Sequence, residues 1–271
     1  MRDSDLFQLA LGLLPPWMVK TCRFDAATKR LDIDIDFGRG GRFPCPECAR
    51  ADCPVHDTAM KTWRHLDFFQ HQAFLNARTP RISCPDCGVR LVNVPWARPG
   101  SGFTLLFEAL AMMLMKAMPV LAAGHIVGEH DTRMWRILHH WVEQARERAD
   151  YAQVKRVAID ETAARRGHNY VSLFVDIDGK RVLFVTDGRD ADTVAQFADD
   201  LEAHNGDASR VKEVCIDMSK AFIKGVAENL TEAQVTYDRF HVMKLINEAV
   251  DQRLPRRRPS RSAFRPSGMP S

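Results

Sequence analysis

At 271 residues and 45% hydrophobic content, the chain is long enough for one substantial domain with one or two small modules. Its net charge of +3 conceals an asymmetry: six arginines and no acid follow Asp251, so the rest is slightly acidic and any nucleic-acid surface must be a local patch. Seven cysteines, most of them in Cys-x-x-Cys pairs, suit metal binding in a reducing compartment and argue against a disulfide framework.

The apolar run at residues 6–19 follows Asp3 and Asp5 and is broken by Pro15-Pro16, which fits neither a signal peptide nor a spanning helix. A second apolar run, 109–128, is interrupted by Lys116, Pro119 and His125. The expectation is a soluble cytoplasmic protein with no membrane partner. Residues 1–37 read as a short helix followed by the alternating Leu31-Asp32-Ile33-Asp34-Ile35-Asp36-Phe37. Such alternation is a half-buried strand with one wet acidic face. An edge strand is expected rather than a metal site, because alternate aspartates on a flat strand build no cage around an ion.

Residues 38–99 change character. Cys45-Pro46-Glu47-Cys48 and Cys84-Pro85-Asp86-Cys87-Gly88 are two knuckles whose four thiolates would complete a tetrahedral structural zinc site. The 35 residues between them exceed the usual ribbon gap, so a hairpin or a further ligand must occupy it, and Cys53 or His56 could replace a knuckle cysteine or bind a second ion. Neither pair has the strand-to-helix context of a redox motif. Nine lysines and arginines face five acids between Gly38 and Gly100, with Arg78, Arg81, Arg90 and Arg98 around the second knuckle.

Gly100-Ser101-Gly102 is a hinge, and residues 100–150 read as helical. The first helix is expected to pack Leu106, Leu110, Met113 and Leu114 inward. Residues 120–138 then form a helix-turn-helix, with Ala123, Ile126 and Val127 on one helix and Gly128 at the turn. Asp131 or Thr132 caps the next helix, whose Met134, Trp135, Ile137 and Leu138 are expected inside. Its outward face offers Arg133, Arg136, His139 and His140, residue types able to contact DNA phosphates or guanine edges.

From residue 151 to 254, short apolar strands alternate with amphipathic helices, and three strands end on aspartate: Asp160, Asp217 and Asp238. Asp178-Gly179 between two apolar runs predicts an antiparallel hairpin with both turn residues at positive φ. The order strand, strand, strand, helix, strand, helix, strand, helix predicts an α/β domain with a mixed five-stranded sheet of the ribonuclease-H-like type. Asp160 and Asp217, from its first and fourth strands, could share a hard divalent cation. Glu161, next to Asp160, points the other way along an extended chain. Residues 255–271 are rich in Arg, Pro and Ser, lack periodicity, and are expected to be disordered.

These segments carry a resemblance to one family. Cys-Pro-x-Cys, Thr62-Trp63-Arg64-His65-Leu66, Cys84-Pro85-Asp86-Cys87-Gly88-Val89, Val94-Pro95-Trp96-Ala97, Ile159-Asp160-Glu161, Cys215-Ile216-Asp217-Met218-Ser219 and Asp238-Arg239-Phe240-His241-Val242-Met243-Lys244 look like the ISL3 group of bacterial insertion-sequence transposases. The resemblance implies a zinc ribbon and helix-turn-helix that bind the element's terminal inverted repeats as double-stranded DNA. It further implies a DDE catalytic domain, self-association, and Asp160 and Asp217 as the first two catalytic acids. Asp238 and His241 match an aspartate-x-x-histidine signature and are candidate accessory residues. In the family the catalytic Glu lies beyond a helical insertion after this motif, whereas here the Arg-rich tail follows. A shortened or frameshifted chain is therefore expected, catalytically incomplete, with Glu248 the last glutamate available. Magnesium would be the catalytic ion and zinc the structural one. Two other readings stand beside it: a zinc-dependent DNA-binding protein or repressor without catalysis, and an autonomous nuclease.

Overall fold

The computed structural model describes residues 2–164 and 170–253. The chain divides into two compact units, residues 1–145 and 146–271. The Arg-rich tail at 255–271 lies outside the described residues.

The first unit opens with α1 (Asp3–Ala10), then β1 (Trp17–Asp25), β2 (Arg30–Phe37), β3 (Arg42–Phe43), β4 (Cys53–Arg64), β5 (Gln72–Cys84) and β6 (Gly88–Leu91). They form one sheet in the order β1-β2-β5-β4-β3, with β6 added to the end of β5. The N-terminal strands therefore share a sheet with the knuckle region, joined where β2 runs parallel to β5 from Arg30↔Gln72 to Ile35↔Ala77. Alternation drives this pairing: Leu31, Ile33 and Ile35 of β2 and Ala73, Leu75 and Ala77 of β5 are almost completely buried on one face. Next to them Trp17, Phe37, Phe43, Trp63 and Trp96 pack ring against ring.

The acidic strand is not at an edge. With β1 on one side and β5 on the other, Asp32, Asp34 and Asp36 face a ladder of cations from their own and neighbouring strands. Arg30 pairs with Asp32 at 2.7 Å, Arg23 with Asp34, and Arg78 and Lys20 with Asp36 at 2.9 and 3.5 Å. Asn76 donates to Asp32 at 2.8 Å. The Arg30 guanidinium holds the Asp32 carboxyl below its ordinary range. Cross-strand pairing of opposite charges thus replaces solvation, and that is what lets an alternating acidic strand lie inside a sheet.

Three helices follow: α2 (Leu105–Ala117), α3 (Val120–Val127) and α4 (Asp131–Glu147). Gly128, at φ +67°, is the left-handed residue that closes α3 and turns the chain toward α4. Ala123, Val127, Met134 and Ile137 are buried between the helices, as their spacing predicts. Two expectations are corrected. Leu106, Leu110 and Met113 lie exposed on α2, whose inward residues are Phe107, Glu108 and Ala111, while Leu114 is only partly buried against this core. Trp135 and Ile126 also face outward. The rotation of α2 is set at its start, where the Thr104 side chain accepts from the Phe107 N–H at 3.3 Å, and by the hydrogen-bond partners that Glu108 finds inside.

The second unit contains β7 (Arg156–Ala163), β8 (Tyr170–Asp176), β9 (Arg181–Asp187), α5 (Asp192–Ala203), β10 (Glu213–Ile216), α6 (Lys220–Asn229), β11 (Gln234–Tyr237) and α7 (Arg239–Arg253). The sheet order is β11-β10-β7-β8-β9. β7, β10 and β11 are parallel, and β8 is antiparallel to both β7 and β9. Val194, Phe197 and Leu201 of α5 and Phe222 and Val226 of α6 cover the sheet, with Phe197 stacked on Phe174 at 4.4 Å between centroids.

The β8–β9 hairpin forms, but its turn differs from the expected one. Positive φ falls on Lys180 rather than on Asp178 and Gly179, because Asp176 accepts from both of their backbone N–H groups, at 3.1 and 2.9 Å. β7 also continues three residues past Asp160, since residues 160–163 still pair with β8 after the parallel neighbour has ended. On α7, Phe240, Met243, Leu245, Ile246 and Val250 are exposed.

Candidate functional site

Four cysteines converge. The ligand atoms of Cys45, Cys48, Cys84 and Cys87 all lie within 4.8 Å of one another, and the Cys48 and Cys84 sulfurs are 3.6 Å apart. A tetrahedron with Zn–S bonds near 2.3 Å has sulfur–sulfur edges of about 3.8 Å, so the tetrad fits zinc. The long gap between the knuckles is occupied by the β4–β5 hairpin, which carries Cys84 back to Cys48. Two ion pairs lock the knuckles reciprocally: Arg50, after the first, reaches Asp86 in the second at 2.8 Å, and Arg90, after the second, reaches Glu47 in the first at 2.6 Å. Burial raises the Cys84 thiol, but the backbone N–H groups of Cys87 and Asp86 and hydrogen bonds from Cys48 and Cys45 outweigh it and bring the group to about 7. Hydrogen bonding with Cys48, followed by burial, pushes Cys87 up to about 12. Neither Cys53 nor His56 joins the tetrad. Cys53 is buried and directs its sulfur to the Arg50 carbonyl at 3.5 Å, while His56 sits 3.3 Å from Asp57.

The proposed DNA-reading helix is α4, and its four candidate residues are not equivalent. Arg136 and His139 are exposed, with the His139 ring 5.7 Å from Trp135. Arg133 is occupied at home: it pairs with Glu129 and lies 4.2 Å over the Phe103 ring. His140 is half-buried against Trp141. The charge around the second knuckle is likewise engaged, since Arg78, Arg81, Arg90 and Arg98 pair with Asp36, Asp57, Glu47 and Glu108.

The strand aspartates are related by the register of β7, β10 and β11. β7 and β10 are paired through Cys215↔Ala158, and that register, extended two residues past the last pair and one past the end of β10 at Ile216, leads from Asp160 to Asp217. β10 and β11 are paired through Ile216↔Tyr237, so the next step sets Asp238 beside Asp217. Ile159 and Ile216 are buried on the core face, so Asp160, within β7, is turned to the opposite face and is exposed, while Asp217 follows directly after the end of β10 and is half-buried. Each carboxylate accepts from a nearby backbone N–H: Asp160 from Glu161 and Asp217 from Ser219 at 2.8 Å, Asp238 from Phe240 at 2.9 Å. Among the described residues, the cysteine tetrad is the sole group of three or more potential metal ligands that converges, so the three aspartates do not close into such a group. His241 is half-buried in the first turn of α7 and touches Phe240, Glu248 is exposed further along that helix, and Glu161 is 3.6 Å from Arg189.

Comparison with known families follows the same three-part division. Residues 41–87 match the zinc-finger of transposases IS204, IS1001, IS1096 and IS1165; residues 92–142 match the helix-turn-helix domain of transposase family ISL3; residues 157–267 match the ISL3 transposase domain of the DDE class. The chain belongs to the ISL3 family of transposases. It is 28% identical to the transposase for insertion sequence element IS1557 of Mycobacterium tuberculosis, over 93% of this chain and 57% of that protein. It is 29% identical to the transposase for IS1001 of Bordetella parapertussis, over 77% of this chain and 51% of that one. The chain thus spans little more than half the length of the curated relatives it matches.

Within this ISL3 transposase chain, sequence reasoning missed the residues that hold the helical region in place. Glu108 is fully buried and accepts from Arg98 at 2.9 and 3.0 Å, from Ser101 at 2.6 Å and from Trp141 at 2.8 Å. Arg64, 2% exposed, donates to the Ala73 carbonyl at 3.3 Å, pairs with Asp67, and stands 3.8 Å from Glu129. A charged residue in a helix reads as solvent-facing until its partners are known, and those of Glu108 lie 10, 7 and 33 residues away. No helix among the described residues is long and apolar enough to cross a membrane.

Proposed function

We propose that this chain acts on double-stranded DNA at the ends of an insertion element. In this reading the zinc tetrad stiffens the knuckle region and α4 presents Arg136 and His139 to the duplex. The second unit, read as ribonuclease-H-like from its strand order and directions, uses Asp160 and Asp217 to hold magnesium. The observation that carries the reading is the parallel register of β7 and β10, which runs toward Asp160 on one strand and toward Asp217 just past the end of the other. Two carboxylates on rigid neighbouring backbone can share a hard cation at 2.0 to 2.1 Å, which is about the magnesium–oxygen distance. Such an ion would neutralise charge on a phosphodiester and on the leaving oxygen during in-line attack. Because no trio of carboxylates converges among the described residues, the chain alone is expected to bind element ends without completing strand transfer.

The test combines binding and chemistry. Manganese, used as a paramagnetic probe in place of magnesium, should bind the wild type and lose that site in Asp217→Ala, while duplex binding persists in both. End-specific nicking that disappears in Asp217→Ala would overturn the claim of incomplete catalysis. Failure of the wild type to bind duplex DNA at all would overturn the whole reading.

A further inference from the structure

Six of the nine lysines and arginines between Gly38 and Gly100 already face carboxylates: Arg50, Arg64, Arg78, Arg81, Arg90 and Arg98. Among the described residues the other three, Arg39, Arg42 and Lys61, have no carboxylate partner. Two of those three stand on one groove. It has a volume of about 380 Å³ and lies between the Gly38-to-Arg42 loop, which joins β2 to β3, and the facing parts of β4 and β5. Arg39, Arg42 and Arg78 line it together with the Thr58 hydroxyl, and no acidic residue does.

The groove is built rather than incidental. Gly41 is required where it is, since a Cβ there would lie 2.8 Å from the Phe37 ring and 3.3 Å from the Phe43 ring. Gly40 turns the loop at φ +75°. Arg42 is anchored by donating to the Asp52 carbonyl at 2.8 Å, and Arg78 is held by Asp36 at 2.9 Å and by the Phe37 ring at 4.8 Å. Arg39 is exposed at the tip. Two guanidinium groups without a carboxylate partner, Arg39 and Arg42, each a planar fork of donors beside a floor that no acid lines, are what a phosphate diester recognises, and Arg78, engaged by Asp36, forms the wall next to them.

We propose that this groove binds the phosphodiester backbone of duplex DNA, as a second contact separate from α4 that positions the duplex without reading its sequence. The inference rests on the DNA-binding reading above and adds to it a site on the zinc module. The groove is an open trough on a sheet surface, so a continuous phosphate backbone suits it better than an isolated anion.

The experiment measures binding of a labelled duplex of arbitrary sequence against salt concentration, for zinc-loaded full-length protein. Each phosphate contact contributes a slope of about 0.9 in log K against log salt, so Arg39→Ala should lower the slope by about one and Arg39→Ala with Arg42→Ala by about two, whatever the duplex sequence. Arg136→Ala should act independently of both. Arg39→Glu is included because it removes no internal hydrogen bond, so a fold defect in the Arg42 variant leaves the assignment testable. An unchanged slope in Arg39→Ala and Arg39→Glu, with wild-type binding intact and α4 variants impaired, overturns the groove while sparing the α4 reading. Binding of inorganic phosphate by the wild type that Arg39→Ala removes, together with a duplex salt slope that Arg39→Ala leaves unchanged, would identify a small-anion site and overturn the DNA assignment. Absence of any duplex binding by the wild type overturns both readings.

Discussion

Glu108 shows how one buried charge can organise a helical region. Its carboxylate has no exposure and takes hydrogen bonds from the loop before α2 and from α4, so it joins three segments through one side chain. Removing one member of a buried ionic pair costs about 3 to 5 kcal/mol, because the other charge stays behind unpaired. Glu108→Ala should therefore lower the unfolding free energy of the first unit, read from urea denaturation, by an amount in this range, and Glu108→Gln, which keeps an acceptor, by clearly less. A loss below about 1 kcal/mol for the alanine variant would mean that the network is dispensable. His65 acts at the same scale but with pH. Its Nδ1 lies 2.9 Å from the Thr104 hydroxyl, and burial, helped by the Arg64 charge, lowers its pKa from 6.5 to about 4. The unfolded chain therefore takes up a proton near pH 6.5 while the folded chain resists until about pH 4. Stability is full above the unfolded value and falls as pH drops through that window, by at most about 3 kcal/mol. His65→Gln should flatten the difference between denaturation midpoints at pH 7 and pH 5, and an unaltered difference would show that His65 does not titrate as its burial requires.

On α4, neighbouring cations separate into one engaged in packing and one left exposed. Arg133 has its guanidinium over Phe103 and against Glu129, whereas Arg136, three residues on, is exposed. Three residues advance a helix by most of a turn, so the two arginines are close on the cylinder, yet only one has a partner across the turn formed by Gly128. Arg133→Ala should reduce thermal stability and change DNA affinity little. Arg136→Ala should leave the melting temperature alone and weaken duplex binding by about 1 to 3 kcal/mol if the side chain reaches a base edge. The opposite pattern in anisotropy and melting data would place recognition elsewhere. On α2, by contrast, the apolar stripe Leu106, Leu110 and Met113 has the correct helical spacing and still faces outward. The buried hydrogen bonds of Glu108 outweigh it, since an ionised carboxylate inside is tolerated only where it is paired.

At the scale of the whole molecule, the zinc tetrad fastens together chain segments separated by the β4–β5 hairpin, while the second unit has a core of its own around Phe174, Phe197 and Phe222. Metal binding and folding are coupled where ligands come from distant segments. Chelation, or Cys87→Ser, should release one zinc per chain and raise amide exchange in β3, β6 and the adjoining ends of β4 and β5, while β7, β8 and α5 keep their protection. Cys53→Ser should leave the zinc content unchanged, because Cys53 lies outside the tetrad. Zinc retained in Cys87→Ser but lost in Cys53→Ser would reverse the ligand assignment.

Features written in neighbouring residues were legible without coordinates. The knuckles, the Gly128 turn and the β8–β9 hairpin each depend on a handful of consecutive side chains and on the short-range sterics of the backbone. Asp217 and Asp238 could be recognised as strand-end acids for the same reason, whereas the strand that carries Asp160 runs on for three more residues because β8 keeps pairing with it. The register that relates Asp160, Asp217 and Asp238 could not be read, because it depends on three parallel strands, and parallel pairing is a long-range choice that no local residue declares. The same limit explains β2: whether it lies at an edge was settled by its parallel pairing with β5, some forty residues on, which adds Asn76 and Arg78 to the Arg23 and Lys20 of β1 around Asp32, Asp34 and Asp36. It explains Glu108 as well, since a charge is buried only when partners from distant segments meet it, and only the tertiary structure brings Arg98, Ser101 and Trp141 to one carboxylate.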